Sequence, residues 1–282
     1  MRVAECKQAV LFLCGTFAVP AQSLYAEGRQ AGANGTKPVK VAPKMSVPAE
    51  TDPSSSPAMP APTQAVRVWD LPTRLFHWLL ALTLIGSVVS AKIGGNAMVW
   101  HFRFGYLVLG LLAFRVLWGL VGGRWSRFSS FIFAPAALLR YLRGKPRPGE
   151  RFDIGHSPLG ALSVFALLAL LAVQVGTGLI GDDEIANIGP LNRFVAVDTG
   201  LAATGWHKSW GQWLLLGAIG LHVAAIVVYQ LRRVDLLRPM WHGDKSLPAS
   251  TPASADGLAQ RMLALLLAAA CAGGVAWLVA MP

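Results

Sequence analysis

Charged side chains are scarce in this chain of 282 residues. They make up 14% of it, whereas hydrophobic residues make up 54%. Soluble domains carry about 25% charged residues, so this balance argues against an ordinary soluble protein and indicates a membrane protein. Only three cysteines are present (Cys6, Cys14 and Cys271), and none belongs to a Cys-x-x-Cys or Cys-x-x-Cys-His motif. The sequence therefore encodes no zinc ribbon, no disulfide framework and no covalently attached c-type haem.

Acidic residues are scarcer than basic ones, and the formal net charge is +11. The lysines and arginines form no motif that reads a nucleic-acid groove. They cluster between apolar segments instead, which is typical of cytoplasmic loops of membrane proteins. We therefore expect the lipid bilayer, and not nucleic acid, as the surroundings of this chain.

Five long apolar segments follow one another along the chain. They cover residues 75–91, 100–121, 158–180, 210–231 and 262–280. About 20 helical residues cross a hydrocarbon core of roughly 30 Å, so the pattern predicts an all-α integral membrane protein with five spans. The first segment is short, and we expect its helix to begin earlier, with Pro72 in the first turn and Asp70 or Thr73 as the N-cap.

The charges of the loops predict the orientation of the spans. Seven basic residues lie between the second and third spans: Arg124, Arg127, Arg140, Arg143, Lys145, Arg147 and Arg151. The loop before the fourth span carries four acids: Asp182, Asp183, Glu184 and Asp198. The positive-inside rule therefore assigns the basic loop to the cytoplasm. Within that loop, residues 125–144 mix aromatics with arginines, and they form either a helix along the membrane surface or an ordinary basic loop with a short helix.

The first 66 residues precede the organised part of the sequence. Their beginning resembles a signal peptide, and residues 36–66 have the composition of a disordered linker. A cleaved signal would leave the N-terminus outside, contrary to the loop charges. An uncleaved extra span, a cytoplasmic tail and a start codon assigned too far upstream are the three explanations. We favour the last, with Met45 or Met59 as the natural start.

Four of the six histidines lie in or beside the predicted spans. His207 and His222 are fifteen positions apart, which in an α-helix corresponds to about 22 Å of rise and about 60° beyond four full turns. They therefore share roughly one helix face at opposite membrane depths. His101 lies at the outer depth and His77 at the inner depth. The spacing thus predicts two histidine pairs, one in each leaflet.

Polar residues at membrane depth are candidate functional residues, and haem iron accepts axial histidines within an apolar helix bundle. Two axial histidines favour electron transfer over oxygen binding. Zinc expects three or four ligands, and no third ligand is visible at either depth. Histidines that only bond neighbouring helices are an alternative. A haem-free proton or metal transporter is another, although the midplane offers few polar residues: Thr83, Ser87, Ser163, Gln174 and Thr177.

Cations beside the histidines are candidates for binding haem propionates. They are Arg67, Arg74, Arg103 and Lys208, and interfacial snorkelling is the alternative for each. Arg115, near the inner end of the second span, pairs either with a propionate or with lipid phosphate. His156 precedes the third span and fits a helix-entry turn near the inner haem or a quinone head group. We expect His242 at the surface.

Several segments together resemble the prokaryotic cytochrome b561 family, which includes the b-type cytochrome subunits of nickel-iron hydrogenases. The resemblance spans about residues 66–245, and its most specific parts are Trp-Asp-x-Pro-x-Arg-x-x-His, ending at His77, and the His-x14-His of the fourth span. It implies a four-helix membrane cytochrome with two b haems. By position, His101 and His207 match the ligands of the outer haem, and His77 and His222 those of the inner haem.

The sequence thus predicts a four-helix transmembrane haem-binding bundle at 67–245, preceded by the signal-like segment and linker at 1–66. A linker and a fifth transmembrane helix follow at 246–282. The expected function is electron transfer in the bacterial inner membrane, between quinol or quinone and a redox partner protein such as a c-type cytochrome or a dehydrogenase. The alternative is a cytochrome b anchor subunit of a hydrogenase or another membrane dehydrogenase. A homodimer stays open.

Overall fold

The computed structural model describes residues 62–281; the predictions for the signal-like segment, the linker before residue 62 and the start codon fall outside them. The described chain is largely helical, with five helical spans long and apolar enough to cross a membrane. Its α-helices are α1 (Leu71–Ile93), α2 (Met98–Val121), α3 (Pro135–Leu142), α4 (Pro158–Ile180), α5 (Val197–Trp206), α6 (Gln212–Leu231), α7 (Leu237–His242) and α8 (Leu258–Val279). The predicted all-α membrane fold with a fifth C-terminal span is confirmed.

Helix α1 begins as the sequence predicts. Its N-cap is Asp70, whose side chain accepts a hydrogen bond from the backbone N–H of Thr73 at 2.8 Å. Pro72 occupies the first turn, where its missing N–H costs nothing. The helix therefore starts at Leu71, four residues before the apolar segment.

The fourth span begins much earlier than predicted. The sequence predicts its start near residue 210, but helix α5 begins at Val197, and a π-helical turn, His207–Gly211, joins it to α6 without a break. His207 therefore lies inside a continuous span and not at its outer start. A π turn takes up about one residue more than an α turn, which changes the rotation between His207 and His222 to about 40° short of four turns. The two histidines still share a face.

The four spans of the predicted bundle pack around an apolar centre. Val108, Leu112, Leu171 and Leu215 form a buried cluster that joins α2, α4 and α6. The last span, α8, lies against α2 and α1, where Ala264 is buried beside Phe76 and Phe114. We call the end with residues 122–157 and 232–257 the basic end of the bundle, and the end with residues 94–97 and 181–196 the acidic end.

A short antiparallel sheet closes the basic end. Strand β1 (Thr63–Arg67) pairs with β2 (Asp244–Pro248), with Ala65 opposite Ser246. The segment after β2 stays on this end: Ser254 Oγ donates to Val68 O, and Leu71 N donates to Asp256 Oδ1. The predicted domain boundaries at 66/67 and 245/246 therefore cut through the two strands, because the polypeptides before α1 and after α7 fold together.

Asp70 organises the same end beyond its capping role. Its fully buried carboxylate also accepts hydrogen bonds from Trp118 Nε1, Gly123 N and Ser126 Oγ. A Cβ at Gly123 would collide with Asp70 Oδ2, so the close approach requires glycine. These bonds tie the start of α1 to the end of α2.

Candidate functional site

The structure brings His101 and His207 together near the acidic end. Their ring centroids are 5.8 Å apart, and the ring planes are nearly perpendicular, at 88°. An imidazole nitrogen binds a metal at about 2 Å, so two imidazoles on opposite sides of one ion have centroids roughly 6 Å apart. The separation therefore fits two axial ligands of a single iron.

Hydrogen bonds fix the tautomer of both rings. His101 Nδ1 donates to Ser87 O at 2.9 Å, and His207 Nδ1 donates to Gln174 O at 2.9 Å. A backbone carbonyl only accepts, so each Nδ1 must carry the proton and each Nε2 keeps a free lone pair. This arrangement orients an imidazole for metal binding.

A cavity of about 320 Å³ surrounds the two rings, a size within the range of ligand sites. Small residues shape its wall: a Cβ at Gly178 would lie 3.2 Å from His207 Cε1, and a Cβ at Gly105 would meet nothing within 4 Å. Lys92 and Lys208 also line the cavity. The site therefore combines an apolar interior with two cations at its edge.

His77 and His222 lie within electrostatic range of each other toward the basic end. The surroundings of this pair differ from those of the first. Within residues 62–281, five buried side-chain atoms lack a hydrogen-bond partner: Gln174 Oε1, beside the turn that carries His207, and the four nitrogens Arg74 Nε, His77 Nδ1, Arg115 Nη1 and His156 Nδ1. All four lie toward the basic end. Because buried polar atoms are almost always satisfied, this clustering indicates a place for a polar ligand.

His156 and Arg115 stand at the centre of this unsatisfied group. The imidazole of His156 packs against Trp69 and Phe131, at centroid distances of 4.7 and 4.3 Å. Burial, together with the charges of Arg115 and His222, lowers its pKa to about 3, so the ring is neutral at pH 7. The guanidinium of Arg115, 3% exposed, lies 4.7 Å from the ring centre of Phe128.

The four cations predicted as propionate partners have different positions. Arg74 stays beside His77, with Nη1 donating to Trp241 O at 2.6 Å, and Lys208 lines the cavity of His101 and His207. Arg67 instead pairs with Asp244 and Asp256 across the β1–β2 sheet. Arg103 is exposed and lies over the ring of Trp100. The charges of Arg67 and Arg103 thus have other partners.

Sequence reasoning missed three contributors. Lys92, from the last turn of α1, reaches the cavity of His101 and His207. Ser87 and Gln174 supply the carbonyls that hold the two Nδ1 protons, although the sequence analysis noted them only as midplane polar residues. Backbone acceptors leave no trace in side-chain chemistry, so only the fold identifies them. His242 is exposed, where the sequence predicts it.

The residues present fit a haem at the depth of His101 and His207, because the rings face each other at a suitable distance with free Nε2 lone pairs. In the described part of the chain, no three His, Cys, Asp or Glu side chains gather as metal ligands. The donor set there is a pair of imidazoles, as haem iron accepts. At the basic end, the unsatisfied nitrogens suit carboxylate oxygens such as those of propionates.

Residues 68–243 match the family model described as prokaryotic cytochrome b561. Relatives named Probable Ni/Fe-hydrogenase B-type cytochrome subunit occur in Cupriavidus necator, 26% identical over 58% of this chain and 80% of the relative, and in Azotobacter chroococcum, 26% identical over 56% and 79%. The Escherichia coli K12 relative, named Probable Ni/Fe-hydrogenase 1 B-type cytochrome subunit, is 24% identical over 60% and 83%. No solved structure matches the chain.

The family match covers more than half of the chain, and its residues include the first four spans and all four histidines, which lie on three of those spans. Family membership implies a b-type haem and a role in membrane electron transfer, and the five apolar spans agree with a multi-pass protein of the bacterial inner membrane. The chain belongs to the prokaryotic cytochrome b561 family.

Proposed function

We propose that this chain is a di-haem cytochrome that carries electrons between the quinone pool and a redox partner protein. His101 and His207 would hold one b haem, and His77 and His222 the other. The observation that carries the proposal is the first pair: both Nδ1 protons are held by carbonyls while the rings face each other at 5.8 Å. When bound, each haem supplies one-electron redox chemistry.

The protein's own part is to bind, orient and tune the haems. The cluster of Val108, Leu112, Leu171 and Leu215 packs between the two histidine depths and excludes water there. Arg74 at one depth and Lys208 at the other supply cations for propionates. A nearby cation stabilises the more negative reduced iron and so raises the reduction potential.

The basic end has the features of a quinone head-group site. The unpartnered Nη1 of Arg115 and Nδ1 of His156 offer a strong donor and a neutral imidazole, and Trp69, Phe128 and Phe131 provide aromatic walls. Arg115 would donate to a quinone carbonyl. His156 Nδ1 would accept the hydrogen bond of a quinol hydroxyl. By the positive-inside rule this end faces the cytoplasm.

The haem content of the purified protein tests the proposal. We expect two protohaems per chain in a pyridine haemochrome assay and a reduced-minus-oxidised spectrum of low-spin b haems. A protein without protohaem would overturn the proposal, and one haem per chain would overturn the di-haem assignment. Quinol-driven reduction in the wild type that is lost in His156→Ala, with both haems retained, would support the quinone site.

A second candidate is a cytochrome b subunit that docks a hydrogenase or another dehydrogenase, favoured by the names of the relatives. The two functions differ in the electron partner. Affinity purification from native membranes under mild detergent would retain a large dehydrogenase in the second case, whereas oxidation of the reduced protein by a c-type cytochrome would favour the first. The same purification, with its mass measured, tests a homodimer.

A further inference from the structure

Gln174 contacts His207 in two ways. Its backbone carbonyl accepts the Nδ1 proton of the imidazole at 2.9 Å, and its side-chain Nε2 donates to the backbone carbonyl of His207 at 2.9 Å. One residue of α4 therefore holds both the ring and the main chain of the histidine on the neighbouring span.

The main-chain contact falls on the π turn. His207–Gly211 has i→i+5 hydrogen bonding between two α-helical segments, and such a change of register displaces carbonyls from the i→i−4 ladder. In a membrane, displaced backbone groups are stabilised by side chains of neighbouring helices. The amide of Gln174 provides that donor at the first residue of the turn.

Gly211 makes room for the amide. A Cβ at this position would collide with Gln174 Oε1, and Gly211 is buried at the last residue of the π turn. The amide thus packs across the turn from His207 to Gly211. Both the hydrogen bond and the packing depend on glycine at one end and on glutamine on the facing helix.

We propose that Gln174 is a positioning residue that holds the π turn and thereby sets the plane of the His207 imidazole nearly perpendicular to that of His101. The proposal rests on the proposed haem at these two histidines. A π turn rotates every residue after it relative to an uninterrupted α-helix. Releasing it would turn the ring while leaving the histidine in place.

The orientation of the rings is measurable without any activity assay. In a low-spin haem with two axial imidazoles, perpendicular ring planes give a strongly anisotropic EPR spectrum with a large gmax, whereas parallel planes give a smaller gmax. The test compares the full-length wild type with Gln174→Met, which keeps the side-chain length and the backbone carbonyl but removes the amide. EPR spectra and haem content are recorded for each.

We expect one strongly anisotropic signal in the wild type to move to smaller gmax in Gln174→Met, while the signal of the other haem stays unchanged. Haem loss from the changed site to apomyoglobin should accelerate about 10-fold, as for other supporting partners of metal ligands. Both signals unchanged with two haems per chain would overturn the proposal. A wild type without low-spin haem signals would instead overturn the proposed function.

Thr177→Val is the matched control. Thr177 Oγ1, one turn from Gln174 on α4, accepts a longer hydrogen bond from the same His207 Nδ1 at 3.3 Å while its own hydroxyl donates to carbonyls of α4, so Thr177→Val removes a polar contact to the ring but leaves the amide on the π turn intact. We expect its EPR spectrum to match the wild type. An equal shift in this control would show that any polar loss near His207 suffices, which contradicts a specific role for Gln174.

Gly211→Ala changes the π-turn side of the contact with the Gln174 amide. It replaces Gln174→Met as the test if that variant does not accumulate in membranes. The added methyl group displaces the intact Gln174 amide, so we expect the same signal to move in the same direction. A haem-loaded Gly211→Ala protein with the wild-type spectrum would overturn the proposal.

Discussion

The two ends of the bundle hold their histidines in opposite ways. At the acidic end, the Nδ1–H groups of His101 and His207 are both satisfied, because each donates to a backbone carbonyl. At the basic end, His77 Nδ1 has no partner among residues 62–281, and Arg74, Arg115 and His156 likewise have buried nitrogens to satisfy. The two rings at the acidic end are thus held by the protein alone, with Gln174 Oε1 as the one unsatisfied buried atom beside them among residues 62–281, whereas four unsatisfied buried nitrogens lie toward the basic end. Under the proposed function, the acidic end would hold a haem only, and the basic end a haem beside a quinone site.

The largest expected effect is the loss of haem when one histidine of either pair is removed. His207→Ala and His222→Ala should each reduce the haem content from two to one per chain, because each removes an axial ligand. The remaining EPR signal should differ between the two variants. Pyridine haemochrome quantitation and EPR measure both quantities.

His242→Ala is the control for these variants, since His242 is exposed beyond the bundle, and it should keep two haems. Full haem content in either His207→Ala or His222→Ala would refute the pairing.

The rigidity of the basic end should depend on Asp70 rather than on the histidines. Asp70→Ala leaves Trp118 Nε1, Gly123 N and Ser126 Oγ without their buried acceptor. We expect a loss of about 3 kcal/mol or more in the free energy of unfolding, seen as a lower unfolding temperature in detergent.

Asp235→Ala provides the comparison for Asp70. Asp235, just before α7, likewise accepts hydrogen bonds from backbone N–H groups at a helix start, those of Leu237 and Arg238, but at an exposed position. We expect a loss of about 1 kcal/mol or less. Equal effects of the two substitutions would mean that the buried network adds nothing to the cap.

Cations should influence the two haems unequally. Arg115 is buried at the basic end, whereas Lys208 is exposed at the edge of the other site. Removing a charge within roughly 10 Å of an iron, at an effective dielectric constant near 20, changes the energy of the reduced state by about 1.5 kcal/mol. We therefore expect Arg115→Met to lower one midpoint potential by on the order of 50 mV.

Lys208→Met should cause a smaller decrease, of the other midpoint potential, because water screens an exposed charge. Potentiometric titration of both variants measures the two values. A larger decrease in Lys208→Met than in Arg115→Met would contradict the contrast between a buried and an exposed site.

The smallest expected effect concerns the acidic end and its pH dependence. Asp183 accepts hydrogen bonds from the side chain and backbone of Asn187 and from the backbone of Ala186 and Ile185, which hold its pKa below the usual 3.8. A depressed carboxylate pKa stabilises the fold above the unfolded pKa, and this contribution is lost as the pH falls. Wild type should therefore be slightly more stable than Asp183→Ala from pH 5 to 8.

That difference in unfolding temperature should shrink as the pH falls below about 4. Thermal unfolding of both proteins across the pH range measures it. If the difference instead grew toward acid pH, the ionised Asp183 carboxylate would not be what stabilises the loop, and other groups would hold it.

Much of this architecture follows from the sequence, and the exceptions share a cause. The spans, the Asp70 cap and the family were predictable, because they depend on hydropathy, local capping and short motifs. The start of the fourth span was wrong by thirteen residues: α5 begins at Val197 instead of residue 210. Residues 197–206 are small and mixed in polarity, so their helix depends on packing against α4 and not on a continuous apolar run.

In the candidate site too, some residues were predictable from the sequence and others were not. The sequence named the four histidines, and their spacing along one span predicted two depths. It also proposed four cations, of which the structure leaves Arg74 and Lys208 beside the histidines, whereas Arg67 joins the ion pairs of the β1–β2 sheet. Whether an arginine pairs with a carboxylate of its own chain depends on residues far apart in sequence: Arg67 and Asp256 are nearly 190 residues apart. No local pattern encodes such a contact.

The sequence by itself determined that the chain crosses the membrane in apolar helices and carries imidazoles at two depths, because hydropathy and helical periodicity are properties of consecutive residues. Only the tertiary structure decided which carbonyls hold the Nδ1 protons, where the π turn lies and which buried nitrogens stay unsatisfied. Those features arise between helices, where hydrogen bonds need two partners at about 3 Å. The partner is chosen by packing and not by position in the chain.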